Sequence, residues 1–353
     1  LYMDISKKKP AYTISPPLRL YLEKFDRDMK LPVSYEGLMH WKEGFPIMDK
    51  NGVDTLWESV MYEPSRMEEL NQGLTQVYAL LKTDGDISVI GHLRVDRIDF
   101  CHFGNSNPFR IRIINQFNDN YDYFYVKVAD ASRVYGLEFE HILSPNRINY
   151  LVDGNSLIEE HIAGIPGDQF IDQFLSMSNF GKVRLAKEFV KFNERCFVRL
   201  LGDMRSYNYV IDITPDFEEA QYRVRAIDFD QQCYEGRKNV YLPQFFKENN
   251  AIVDFCREMM TPETITQYKY EERILIKKRY ESASYRTNNL LVAIKQDSIS
   301  TPKKINQLKT ELNKYHKTQE FNSCKTMGEI MGIHLELMLT KPIPQKFSAA
   351  FKL

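Results

Sequence analysis

Apolar residues recur at every second position over residues 87–130 and at helical spacing from residue 168 onward, and this change of period constrains the fold more than any other feature of the chain. The runs ISVIGHLRVDRIDF, FRIRIINQF and YDYFYVKVAD are rich in Ile, Val, Phe and Tyr and alternate as half-buried strands do. FGNSNP and NDN separate them as turns, so the three runs predict an antiparallel meander. A short helix is expected over residues 135–143, strands over 147–152 and 157–162, and then the turn GIPGD. Residues 168–176 and 183–199 read as helices, followed by a hairpin, YNYVIDI and YRVRAIDFD, that closes around Pro215 and Asp216. Beyond residue 241 the pattern is mostly helical, and Thr261-Pro262 and Thr301-Pro302 each set a capping side chain before a proline, as helix starts do. Strands first and helices afterwards imply an α+β protein with two lobes. Residues 1–85 mix proline-containing segments with short helical runs, the clearest over 67–81, and carry no recognisable chemistry.

The 47 basic and 48 acidic residues nearly cancel, so no global field points to nucleic acid or a membrane surface. Between residues 264 and 320, twelve Lys/Arg face six acids, which reads as the solvated faces of amphipathic helices; aromatics are sparse there, which argues against a nucleic-acid partner. Five cysteines, odd in number and never spaced as C-x-x-C, fit neither a disulfide framework nor a zinc ribbon. No stretch approaches the roughly 20 apolar residues of a membrane helix, and Lys7, Lys8 and Lys9 before Pro10 do not resemble a signal peptide. A cytoplasmic protein without a membrane partner is expected.

The chemistry concentrates in Leu201-Gly202-Asp203-Met204-Arg205-Ser206-Tyr207-Asn208, where a carboxylate and an amide stand five residues apart between a helix and a strand. Phosphoryl transfer uses such a pair: the carboxylate orients or deprotonates the attacking hydroxyl, and the amide oxygen helps hold a metal ion. Twenty residues after Asn208, Ile227-Asp228-Phe229-Asp230 ends a strand with hard oxygen ligands that suit Mg²⁺. Upstream, Lys127 interrupts the apolar run Tyr123-Phe124-Tyr125-Val126-Lys127-Val128, where an ammonium needs a partner or solvent. Glu138, eleven residues later, lies in a helix-like stretch able to present a carboxylate to it.

In this order the parts resemble the protein-kinase-like superfamily, most closely its aminoglycoside phosphotransferase and choline kinase branch, over residues 87–235. The resemblance implies a two-lobed fold: an N-terminal extension over 1–85, a β-rich small lobe over 86–160, and a mainly helical large lobe over 161–353, with ATP and Mg²⁺ bound between the lobes. It implies Lys127 for phosphate contact and Glu138 for its ion pair, with Glu140 as the alternative. Asp203 corresponds to the catalytic base, and Asn208 and Asp228 to the Mg²⁺ ligands. The run Leu157-Ile158-Glu159-Glu160-His161-Ile162 corresponds to the hinge, with Glu160 and Ile162 beside the nucleotide. The catalytic-loop histidine of the family is Leu201 here, its glycine-rich loop is absent, and its metal motif ends in Asp230 rather than glycine. Phe103-Gly104-Asn105-Ser106-Asn107-Pro108 is the candidate phosphate cover, through backbone N–H groups at Gly104 and the Ser106 hydroxyl. Arg205 has two readings, a contact to the transferring phosphate or an ion pair with a nearby acid. The expected activity is transfer of a γ-phosphoryl group to a hydroxyl acceptor, a small molecule rather than a protein; the rival is a silent pseudokinase that binds nucleotide or serves as a scaffold.

Overall fold

The computed structural model describes residues 9–82, 91–102, 106–176, 181–216 and 220–341. The chain divides into two compact units, Leu1–Ala131 with Ile148–His161 and Ser132–Arg147 with Ile162–Leu353. The first unit opens with helices α1 (Pro16–Lys24) and α2 (Tyr35–Leu38), strands β1 (Glu43–Met48) and β2 (Asp54–Met61), and helix α3 (Pro64–Lys82). The meander follows as β3 (Leu93–Cys101), β4 (Phe109–Asn115) and β5 (Tyr121–Val128); β6 (Tyr150–Asp153) and β7 (Ser156–Glu160) complete the sheet. Among the described residues this is one antiparallel sheet in the order β1-β2-β3-β4-β5-β7-β6. Residues 87–90, where the first alternating run begins, lie outside the described residues.

The alternation does what the sequence predicts. Phe109, Ile111 and Ile113 of β4 are buried with Val95, Phe100, Phe124, Val126 and Ile158, and α3 covers this face with Leu70, Leu74, Val77 and Leu81. Each such side chain contributes roughly 1.5–3 kcal/mol through burial. Arg110 and Arg112 project from the opposite face, as period two requires. The hairpin of β1 and β2 has no counterpart in the sequence reading. β1 is an edge strand with Phe45 and Met48 half exposed, so burial imposes no alternation on its sequence, and Pro46 is tolerated where no further strand needs its N–H.

The second unit contains α4 (Ala131–Leu143) from its second residue on, the short strand β8 (Ile165–Pro166), α5 (Gly167–Gln173), α6 (Lys182–Arg199), and the hairpin β9 (Tyr209–Thr214) and β10 (Gln221–Ala226). Helices α7 (Asn250–Met259), α8 (Pro262–Ser282), α9 (Ser284–Lys295), α10 (Pro302–His316) and α11 (Met327–Thr340) follow. Helix α6 is the axis of this unit and packs against α7, α8, α11 and β10. Its buried charges are paired: Arg195 with Glu188 at 2.6 Å, Arg199 with Glu140 of α4, and Glu194 with Arg273 of α8. The two threonine–proline starts hold, since the Thr261 and Thr301 hydroxyls accept from the N–H groups of Thr264 and Lys304. Among the described residues no helix is long and apolar enough to cross a membrane.

Against α6, His334 of α11 donates from Nε2 to the Phe197 carbonyl at 2.9 Å and accepts at Nδ1 from His316 at 3.0 Å, which leaves the His334 imidazole neutral. Burial pushes His334 down to about 3 and His316 down to about 4. The unfolded chain therefore takes up protons below about pH 6.5 that the native pair refuses, and stability is lost as pH falls from there toward about 4. The expected slope for His334 is about 1.4 kcal/mol per pH unit in that window. In urea unfolding the midpoint falls between pH 7 and pH 5, and His334→Gln, which retains a donor for Phe197, makes that fall shallower. An unchanged slope contradicts the assignment.

Candidate active site

Helix α6 ends with Leu200 in the left-handed region at φ 51°, which turns the chain into the loop expected to carry chemistry. The loop is fixed at each step. Gly202 N–H donates to the Gln231 carbonyl at 3.2 Å and Asp203 N–H to that of Val240 at 3.1 Å. Asn208 Nδ2 donates to the Asp203 carbonyl at 2.7 Å, and the Asn208 carbonyl accepts from Ile227 N–H at 3.0 Å, tying the loop to the end of β10. Asp203 itself is left-handed at φ 59°, a conformation that Asp and Asn tolerate better than most side chains.

The two oxygens of Asp203 differ. Oδ1 accepts from Arg205 Nε at 2.9 Å, whereas Oδ2 has no hydrogen-bond partner among the described residues, although the side chain is only 20% exposed. Burial pushes the carboxyl above its ordinary range, with the Arg205 guanidinium opposing the rise. A carboxylate anchored through one oxygen and open at the other is what a general base requires. Of the two readings of Arg205, the ion pair is the one present: besides Asp203 it meets Glu248 at 2.8 Å and lies over the Phe246 ring at 5.1 Å. That arrangement makes it an orienting group for Asp203.

Asn208 is nine-tenths buried, and its Oδ1 has no hydrogen-bond partner among the described residues. Beside it, at the end of β10, Asp228 Oδ1 accepts from Arg133 Nη1 at 3.0 Å and from Asp230 N–H at 3.0 Å. Arg133, on α4 and 3% exposed, also meets Asp230 at 2.8 Å. Arg133 thus bridges the two carboxylates. Among the described residues no three His, Cys, Asp or Glu side chains gather as a metal-holding group. Mg²⁺ suits the donors that are present, because it takes one or two protein oxygens and completes its shell with water and phosphate.

In the first unit, Lys127 Nζ lies 2.8 Å from Glu159 Oε2 on the neighbouring strand and 5.2 Å from the Tyr125 ring centroid. A carboxylate beside Lys127 is thus Glu159, on the same sheet. Glu138, fully buried in the second unit, accepts from Arg286 Nε at 2.6 Å, and the alternative Glu140 is held by Arg199. Of the hinge residues, Glu160 accepts from Asn149 N–H at 2.8 Å and faces Lys82 at 3.4 Å, and Ile162 is buried as the first residue to return to the second unit. Ser106 is half-buried on its turn; Gly104 lies outside the described residues.

The turn GIPGD supports the loop from below. A Cβ on Gly167 would stand 2.5 Å from the Ser206 carbonyl oxygen and 2.3 Å from the Tyr209 ring, so only glycine allows α5 to start there. Gly167→Ala is expected to cost about 1–3 kcal/mol through overpacking and to shift the loop. Thermal melts combined with a rate measurement check it, and a variant equal to wild type in both contradicts the packing argument.

Sequence reading missed Arg133, Glu159 and Glu248. Glu159 carried a signal, an acid inside an apolar strand, of the same kind that drew attention to Lys127. Arg133 and Glu248 meet their partners across 95 and 43 residues and offered none. An open cavity of about 590 Å³ among α8, α9 and α11, lined in part by Lys277, Leu291, Lys295 and Leu339, includes none of the site residues. The chain matches no family model and no curated protein.

Proposed function

We propose that this chain is an ATP- and Mg²⁺-dependent phosphotransferase of two-lobed, protein-kinase-like organisation, acting on a hydroxyl of a small molecule. The observation that carries the reading is Asp203: a left-handed, mostly buried carboxylate with one oxygen on Arg205 and the other unpartnered among the described residues. It stands in a loop braced by the Asn208 amide. In this role Asp203 accepts the proton of the acceptor hydroxyl at Oδ2, while Arg205 keeps the carboxylate turned. Asn208 Oδ1 and Asp228 would hold the Mg²⁺, which would neutralise charge on the donor phosphates. Lys127 is the residue proposed for a phosphate contact. The strand order β3-β4-β5-β7-β6, with the lysine on β5, supports the small-lobe comparison. Five buried cysteines, none of them in a disulfide, support a reducing compartment such as the cytosol.

One observation favours a second reading, a nucleotide-binding pseudokinase: Arg133 already pairs with Asp228 Oδ1, where a cation must compete with it. Incubation with Mg²⁺, γ-labelled ATP and a metabolite pool separates the two. Label in a small-molecule fraction, lost in Asp228→Asn, is the expected result. Equal background in both proteins removes the enzyme reading.

A further inference from the structure

We infer that Glu248 keeps the second oxygen of Asp203 open, by holding the Arg205 guanidinium so that it reaches Asp203 through Nε alone. Glu248 is thereby a positioning residue for the general base. The inference rests on the phosphotransferase reading.

Three observations carry it. Arg205 stands between two carboxylates, with Nε on Asp203 Oδ1 at 2.9 Å and Nη1 on Glu248 Oε1 at 2.8 Å. A guanidinium with no other tie favours a two-point clasp that occupies both oxygens of a carboxylate. With Nη1 drawn to Glu248, and the Phe246 ring centroid 5.1 Å from the guanidinium carbon, the fork is turned away from that clasp. Asp203 Oδ2, the oxygen that would accept the proton of the acceptor hydroxyl, is thereby left without a hydrogen-bond partner among the described residues.

The second observation is the seat of Glu248. It lies on a 3-10 turn, Lys247–Asn249, that leads into α7. The next residue, Asn249, is fully buried: its Nδ2 donates to the carbonyls of Met204 at 2.9 Å and Pro243 at 2.8 Å, and its Oδ1 accepts from the Tyr209 hydroxyl at 3.1 Å. This one amide ties the turn to the residue after Asp203 and to the residue after Asn208, so Glu248 and Arg205 keep a fixed relation. The third observation is a cost without a structural return. Glu248 Oε2 is buried and has no hydrogen-bond partner among the described residues. An unpaired buried oxygen lowers stability, and such costs are kept where function rather than folding sets the residue.

The test follows label transfer from γ-labelled Mg·ATP to a metabolite pool, with ATP KM and Tm measured alongside, for the full chain as wild type, Glu248→Gln, Arg205→Met and the double variant. Glutamine keeps the shape of the side chain and gives up the charge that holds Nη1. Glu248→Gln should lower the rate at saturating ATP about 10- to 100-fold, leave ATP KM within about twofold, and melt no lower than wild type. Because Glu248 acts through Arg205, the same substitution in the Arg205→Met background should change the rate by no more than about twofold. The inference is overturned if Glu248→Gln keeps the wild-type rate, if rate and Tm fall together, or if the loss is equal in both backgrounds. Wild-type protein that transfers no label overturns the functional reading itself and the inference with it, a result distinct from an active wild type that Glu248→Gln leaves unchanged.

Discussion

Asp203→Asn is expected to lower the rate of phosphoryl transfer from Mg·ATP by about 10²- to 10⁴-fold, the range a general base contributes, while ATP affinity and fold are kept. Asparagine accepts the left-handed backbone as readily as aspartate does, and its amide oxygen can still receive Arg205 Nε. What it cannot do is take a proton at the second position. The charge relations point the same way for stability. Because burial raises the carboxyl of Asp203 in the folded state, ionising it costs stability once pH rises past its unfolded value, so the neutral amide should melt no lower than wild type at pH 7. Loss of rate with unchanged or higher Tm identifies a catalytic group. Parallel loss of both identifies a structural one and contradicts the general-base role.

Arg199→Met is expected to have the largest effect on stability, about 3–5 kcal/mol, because it leaves Glu140 as a buried charge without its partner. Burial alone would raise the Glu140 carboxyl, but the Arg199 and Arg195 guanidiniums and the Ser144 hydroxyl outweigh it and hold the group below its ordinary range. A carboxyl depressed in the folded state stabilises above its unfolded value near 4.5, and that contribution is lost as pH falls further. The deficit of the variant in urea should therefore be full at pH 7 and narrow below about pH 4.5. The double variant Glu140→Gln, Arg199→Met should recover part of the loss, since no unpaired charge then remains. A single variant within 1 kcal/mol of wild type at pH 7 would contradict the pairing.

These two residues also show where sequence reading succeeds and where it stops. Asp203 was legible because its neighbours in the chain define its setting: a helix before it, a strand after it, and an amide five residues on that bonds its own carbonyl. β3, β4 and β5 were legible because one face is buried and the other is not, which forces a period of two on the side chains. β1 and β2 escaped because Val60 is the one side chain of this hairpin that is buried, too little to impose such a period. The partners of charged residues escaped for a different reason. Glu159 reaches Lys127 only because β7 inserts beside β5, and Glu140 is drawn to Arg199 only because α4 packs on α6, both facts of tertiary order. The sheet sets Glu159 beside Lys127, a neighbour that order along the chain does not reveal.

Thermal stabilisation by ATP with and without Mg²⁺ tests the central claim most directly, because a ligand that binds only the folded chain must raise its melting temperature by mass action. At a hundredfold excess over Kd the gain is about 2.7 kcal/mol, which raises Tm by several degrees. The account predicts that rise with millimolar ATP and Mg²⁺ together, a smaller one without the metal, and its loss in Asp228→Asn. A melting curve that millimolar ATP leaves unmoved, with Mg²⁺ present, would contradict it.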